Sequence, residues 1–143
     1  MLKIIQSSYG VFMVILIYKF INIFFLVFHT ALTLFNIFGW IFRRTRFLNL
    51  ITLSFTAFSW FIMGIWYGWG YCFLTDWHWK VRELLHYRDV SDSYIQFLLL
   101  QYTGINFPEN MVIIITLIIF LFSFTMSIIF NIIDFIKAMK LKT

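Results

Sequence analysis

The chain has 143 residues, of which 62% are hydrophobic, 23% aromatic and only 12% charged, whereas roughly a quarter of a soluble domain is charged. That balance excludes a water-soluble core of this size and makes lipid the solvent for most of the chain. The formal net charge of +5 lies in short basic runs beside apolar stretches, the pattern of topology signals and headgroup contacts rather than of a nucleic-acid partner. The single cysteine, Cys72, excludes an internal disulfide.

In chain order, the first nineteen residues hold the apolar run Val11 to Tyr18, too short to cross a bilayer alone. No small-residue cleavage site follows it, so no signal-peptide cleavage is expected. This run extends the first helix, lies in the interface, or forms a separate span ending at Lys19. Three longer apolar segments follow, about 20–42, 47–71 and 108–133. About twenty helical residues cross the hydrocarbon core, and each backbone N–H and C=O in lipid must be paired internally. All three are therefore expected to be helical despite their many strand-forming Phe, Ile and Thr. The expected fold is all-α: an integral membrane three-helix bundle forming a single membrane domain over residues 1–143.

The turn between the first two spans reads Arg43-Arg44-Thr45-Arg46, and the tail carries Lys137, Lys140 and Lys142. Lys and Arg in short flanks set orientation. The turn and the C-terminus are therefore expected in the cytoplasm, and the 73–107 loop in the periplasm, of a bacterial inner membrane.

That loop patterns as two short interfacial helices. Thr75 or Asp76 is placed to cap the first, and Trp77, Val81, Leu84 and Leu85 form one apolar face. Ser91-Asp92-Ser93 is placed to cap the second, which stops at Gly104. Trp66, Trp69, Trp77 and Trp79 pattern as an aromatic belt.

Each span carries one polar stripe: Asn22, His29, Thr33 and Asn36 in the first; Asn49, Thr52, Thr56 and Ser59 in the second; Thr116, Ser123, Ser127, Asn131 and Asp134 in the third. Helical spacing puts each set on one face, and polar groups avoid lipid, so the stripes are expected to face one another. Counting from the cytoplasmic ends places His29 level with Ser59 and Ser123, and Asn36 level with Thr52 and Ser127. Gly64 and Gly68 add a small-residue pair for close helix approach. Asp134, near a helix C-terminus that disfavours an acid, is expected to pair with Arg43, Arg44 or Lys137. The plain reading of His29 is an interhelical hydrogen bond; the sharper reading is a proton relay, a haem or metal ligand, or a quinone contact.

The stretch Gly68-Trp69-Gly70-Tyr71-Cys72-Phe73-Leu74-Thr75-Asp76-Trp77-His78-Trp79 resembles the cysteine-proline-leucine-threonine motif of an uncharacterised bacterial family of small membrane proteins, domain of unknown function 2784, in the form found in Bacteroidetes. Phe28-His29-Thr30-Ala31, Gly39-Trp40 and Arg43-Arg44 extend the likeness over about Phe20 to Ile133. Phe73 stands where the family usually has proline, and residues 1–19 have no clear counterpart. The resemblance implies a fold and a site location and lends no biochemical activity.

Cys72, Asp76, His78, Lys80 and Arg82 make the candidate functional site. Cys72 and Asp76 share a helical face and His78 falls on the other, with no paired C-x-x-C or H-x-x-x-H unit, so neither metal nor cofactor is expected. As a structural junction, the motif would cap a helix, anchor it through tryptophans and pair Lys80 with Glu83. The expected function is a small structural or accessory protein that binds lipid, another membrane protein or a second copy of itself. The alternative is a membrane enzyme or redox protein using His29 or the Cys72–Asp76–His78 region.

Overall fold

The computed structural model describes residues 2–88 and 93–140, with side chains from residue 11 onward. Helix is the only regular structure among the described residues. α1 runs unbroken over Leu2–Phe38, so the N-terminal residues continue the first helix. α2 (Arg46–Ala57), a π-helical turn (Phe58–Met63) and α3 (Gly64–Tyr67) follow as one continuous rod. The connection to the last helix holds α4 (Phe73–Leu84) and α5 (Tyr94–Thr103), and α6 (Glu109–Lys140) closes the fold. Three helices are long and apolar enough to cross a membrane: Val11–Phe38, Arg46–Tyr67 and Glu109–Lys140.

The first span ends four residues earlier than the composition suggests. Thr45 Oγ1 donates to the carbonyls of Gly39 (2.7 Å) and Phe42 (3.0 Å), and Trp40 Nε1 donates to Ile37 O (2.7 Å), closing the turn. Gly39 is required there: a Cβ would lie 2.6 Å from Phe35 O and 2.8 Å from Asn49 Nδ2. Asn49, fully buried, uses that close approach to donate to Phe35 O at 2.8 Å, tying α2 to α1.

The polar stripes meet, but at other depths than counting gives. Ser123 Oγ donates to Ile37 O (3.4 Å), eight positions beyond His29, or about 12 Å at 1.5 Å per residue. Ser127 is fully buried, and Asn36 Nδ2 donates to Thr56 Oγ1 (3.1 Å) rather than pairing with Thr52 or Ser127. Thr52 instead donates to Asn49 O (3.0 Å), and Ser59 to Tyr71 O (2.8 Å). Counting from level helix ends gives the wrong registration because the ends near the turn are not level. α1 stops at Phe38, whereas α6 runs on to Lys140 beside and past the turn, which shifts α6 relative to α1.

The glycine pair also divides its roles. Gly64 is buried, but Gly68 takes φ +100° and its N–H bonds Gly64 O at 2.9 Å, ending the helix instead of packing it. α4 starts at Phe73 after an extended Cys72, without a side-chain cap from Thr75 or Asp76. Ser93 precedes α5 without capping it through its side chain, while Ser91 and Asp92 lie outside the described residues. α5 ends at Gly104 in the left-handed region (φ 71°).

Candidate functional site

α4 packs the opposite way round from a helix lying in water. Trp77 (54% exposed) and Leu84 (56%) face outward, while His78 is fully buried. His78 and Arg82, one turn apart, point at α1. There Asn22, Leu26 and His29, spaced four and three, present one face.

The hydrogen bonds of this junction fix one another. Arg82 Nη1 lies 3.2 Å from Asn22 Oδ1, and a guanidinium only donates, so the Asn22 atom is the acceptor. His78 Nε2 lies 2.8 Å from the same oxygen and therefore carries the ring proton. The other ring nitrogen, Nδ1, lies 2.7 Å from the Tyr94 hydroxyl and shares a hydrogen bond with it. The Tyr94 ring in turn stacks on His29 with centroids 4.0 Å apart. The Arg82 guanidinium lies over the rings of Phe97 (4.6 Å) and Tyr87 (4.7 Å). A chain of polar contacts thus runs from Arg82 through Asn22, His78 and Tyr94 to His29, joining three helices.

An aromatic core surrounds it. Tyr94, Phe97 and Leu98 are buried, with Leu26, Trp79 and Ile95 packed against them. Trp79 meets Phe97 edge-on (5.1 Å) and belongs to this core, not to an outer belt. Trp66, Trp69 and Trp77 are the exposed tryptophans. Two further bonds hold the cap. Thr30 Oγ1 donates to Leu26 O (2.7 Å), which leaves Tyr102 as donor to Thr30 (3.3 Å). Gln96 Nε2 reaches Phe107 O (2.8 Å) and Asn106 Oδ1 (3.1 Å), fastening the approach to α6.

The residues singled out in the sequence therefore separate. Of Cys72, Asp76, His78, Lys80 and Arg82, only His78 and Arg82 enter the buried network. Asp76 accepts from Lys80 Nζ at 2.8 Å on the exposed side, so Lys80 pairs one turn back and not with Glu83. That hydrogen bond and the adjacent negative charge hold the Lys80 ammonium above the ordinary lysine range. Cys72 is half-buried before α4 begins. Among the described residues no three His, Cys, Asp or Glu side chains converge as a metal site. His29 meets Tyr94, and neither Ser59 nor Ser123 is its partner, since both are bonded elsewhere. Asn22 and Tyr94 are the residues that sequence reasoning left without a role at the motif. The signals were an amide within an apolar span and a tyrosine opening α5.

At the other end, Asp134 Oδ2 lies 2.9 Å from Arg46 Nη1, and Oδ1 lies 3.5 Å from Arg43 Nε. Arg46 supplies the close partner expected of Arg43 or Arg44. It also donates from Nε to Trp40 O (3.0 Å), and its guanidinium lies 4.4 Å from the Phe130 ring centroid. Arg44 is exposed, and Lys137 takes no part in this cluster.

No curated protein and no solved structure matches the chain. The family model described as Protein of Unknown function (DUF2784) matches residues 19–132, a stretch that includes Asn22, His29, His78, Arg82 and Tyr94, and the chain belongs to that family.

Proposed function

We propose that this chain is a small accessory protein of the bacterial inner membrane, non-enzymatic, whose outer cap binds lipid or another membrane protein. The observation that carries the reading is the outward placement of Trp77 and Leu84 beside the exposed Lys80 and Glu83, a mixed apolar and charged face that suits headgroup depth, set against the inward use of His78 and Arg82. In water that arrangement would be costly, because apolar area would stay wet while polar groups lost their hydration. Against lipid or an apolar partner it is favourable on both faces. The same geometry puts His78 to structural use, with both ring nitrogens hydrogen-bonded.

The test is a Trp77→Cys variant in a Cys72→Ser background, labelled with a polarity-sensitive dye in lipid vesicles. The expected emission is that of an apolar site, quenched by spin-labelled lipid or shifted by a co-purified membrane partner. A fully aqueous spectrum overturns the reading.

A membrane enzyme or redox protein is the second reading, favoured by one observation: Nδ1 of His29 is buried with no hydrogen-bond partner, beside Tyr94. A Soret band or stoichiometric metal in the purified protein would establish it in place of the first.

A further inference from the structure

The turn end of the bundle is strongly basic and divides its arginines between two tasks. Arg43, Arg44, Arg46, Lys137 and Lys140 lie there, against Asp134 alone among the described acids; the others, Asp76, Glu83 and Glu109, belong to the cap and the start of α6. Arg46 is the structural arginine: its side chain is 16% exposed and is committed to Asp134, the Trp40 carbonyl and the Phe130 ring. Arg43 touches Asp134 only through Nε at 3.5 Å and its side chain stays 71% exposed, so most of its guanidinium faces outward. Arg44, next to it, is exposed as well.

Directly before these two residues lies a concave apolar groove of about 290 Å³, lined by Leu34, Phe35, Phe38, Gly39, Phe42 and Thr45. Its shape is fixed. The glycine cannot carry a side chain without striking Phe35 O and Asn49, and Thr45 pins the turn to the carbonyls of Gly39 and Phe42. Phe38 and Phe42 stand exposed along it. Two of its lining residues, Phe42 and Thr45, flank the exposed Arg43 and Arg44 in the chain, so an apolar groove and a basic turn adjoin, a pairing that suits an amphiphile: an acyl chain with an anionic head. Arginine binds phosphate through paired N–H donors, and the partial charge remaining after Asp134 is satisfied selects an anion.

We propose that this groove and Arg43–Arg44 form a binding site for an anionic phospholipid of the leaflet at the turn, with one acyl chain along Leu34, Phe38 and Phe42 and the phosphate at the two arginines. The site rests on the reading of the chain as a membrane protein, and not on the role of the cap.

The experiment is native mass spectrometry of the purified full chain titrated with dioleoylphosphatidylglycerol or dioleoylphosphatidylcholine, with thermal unfolding in detergent as a second readout. One phosphatidylglycerol should stay bound and raise the unfolding temperature, while phosphatidylcholine of the same chains should do neither. Arg43→Gln/Arg44→Gln should weaken phosphatidylglycerol binding about thirtyfold, the product of two surface attractions of arginine for an anionic head. Lys137→Gln/Lys140→Gln should leave it within about threefold, since those lysines lie off the groove. Equal retention of both lipids, an unchanged affinity in the arginine variant, or an equal loss in the lysine variant would overturn the proposal. So would the same temperature rise from inorganic phosphate, which has no chain for the groove. Because the lipid titration is independent of labels on α4, failure here leaves the reading of the cap standing, and an aqueous α4 leaves this site standing.

Discussion

His78 Nε2 lies 2.8 Å from Asn22 Oδ1, a bond that carries α4 onto the first span across fifty-six positions of sequence. The same oxygen accepts from Arg82 at 3.2 Å. One amide oxygen therefore serves two donors from successive turns of α4, one of them the Nε2–H of His78.

Asn22→Leu should remove the part-buried acceptor that His78 Nε2 and Arg82 Nη1 share. Such a loss costs about 1–3 kcal/mol, read as a lower midpoint of unfolding in detergent. His78→Phe alone should cost a similar amount, because the ring gives up its bonds to both Asn22 and Tyr94. The double variant should be less destabilised than the sum of the two, since their shared bond is removed only once. Strict additivity would mean that the contact carries no energy.

Arg46→Gln should destabilise more than Arg43→Gln, and Arg44→Gln should stay within about 0.5 kcal/mol of the parent. Arg46 alone is mostly buried and holds a turn carbonyl, a ring and Asp134 together. The Arg46–Asp134 coupling itself, from a double-mutant cycle with Asp134→Asn, should exceed the Arg43–Asp134 coupling, because the Arg46 side chain is 16% exposed against 71% for Arg43 and solvent screens the more exposed pair. A larger effect at Arg44 than at Arg46 would reverse the assignment.

The helical spans were legible because lipid leaves the backbone no other way to pair its amides, and the Gly104 stop because only a residue tolerant of positive φ ends α5 there. The inward face of α4 was not. An amphipathic reading assumes water on one side, so Trp77, Val81, Leu84 and Leu85 pattern as the buried face. In the structure His78 and Arg82 turn inward onto Asn22, while Trp77, Lys80 and Leu84 stay outside. The partners of His78 were hidden for a different reason: Asn22 and Tyr94 come from two other helices, and no local spacing records that approach. The depth of Ser123 was lost because helix ends were taken as level, while α6 continues to Lys140 past the turn at Gly39.

The basic turn gives an expectation for orientation in the membrane, with the turn and the C-terminus on the cytoplasmic side. In a Cys72→Ser background, Lys140→Cys should resist a membrane-impermeant thiol reagent in intact cells, while Glu83→Cys should react. Both positions are exposed, so access reports the side of the membrane and not burial. The opposite pattern would invert the topology and move the basic face to the outer leaflet.

Two glycines give opposed expectations for the same substitution. At Gly39 a methyl group would sit 2.6 Å from Phe35 O and 2.8 Å from Asn49 Nδ2. Neither atom can retreat cheaply: one is helix backbone, and the other belongs to a fully buried amide already bonded to that same carbonyl at 2.8 Å. Gly39→Ala should therefore part α1 from α2 and cost about 1–3 kcal/mol or more. At Gly64 the added methyl would meet Trp69 Cα at 3.5 Å, an ordinary contact. Gly64→Ala should be neutral or stabilise by up to about 1 kcal/mol through reduced backbone freedom in the unfolded chain. Unfolding midpoints of the two variants, measured side by side in one detergent, check the pair. If Gly39→Ala matched the parent while Gly64→Ala fell, the close approach of the first two spans would lie at α3 and not at the basic turn.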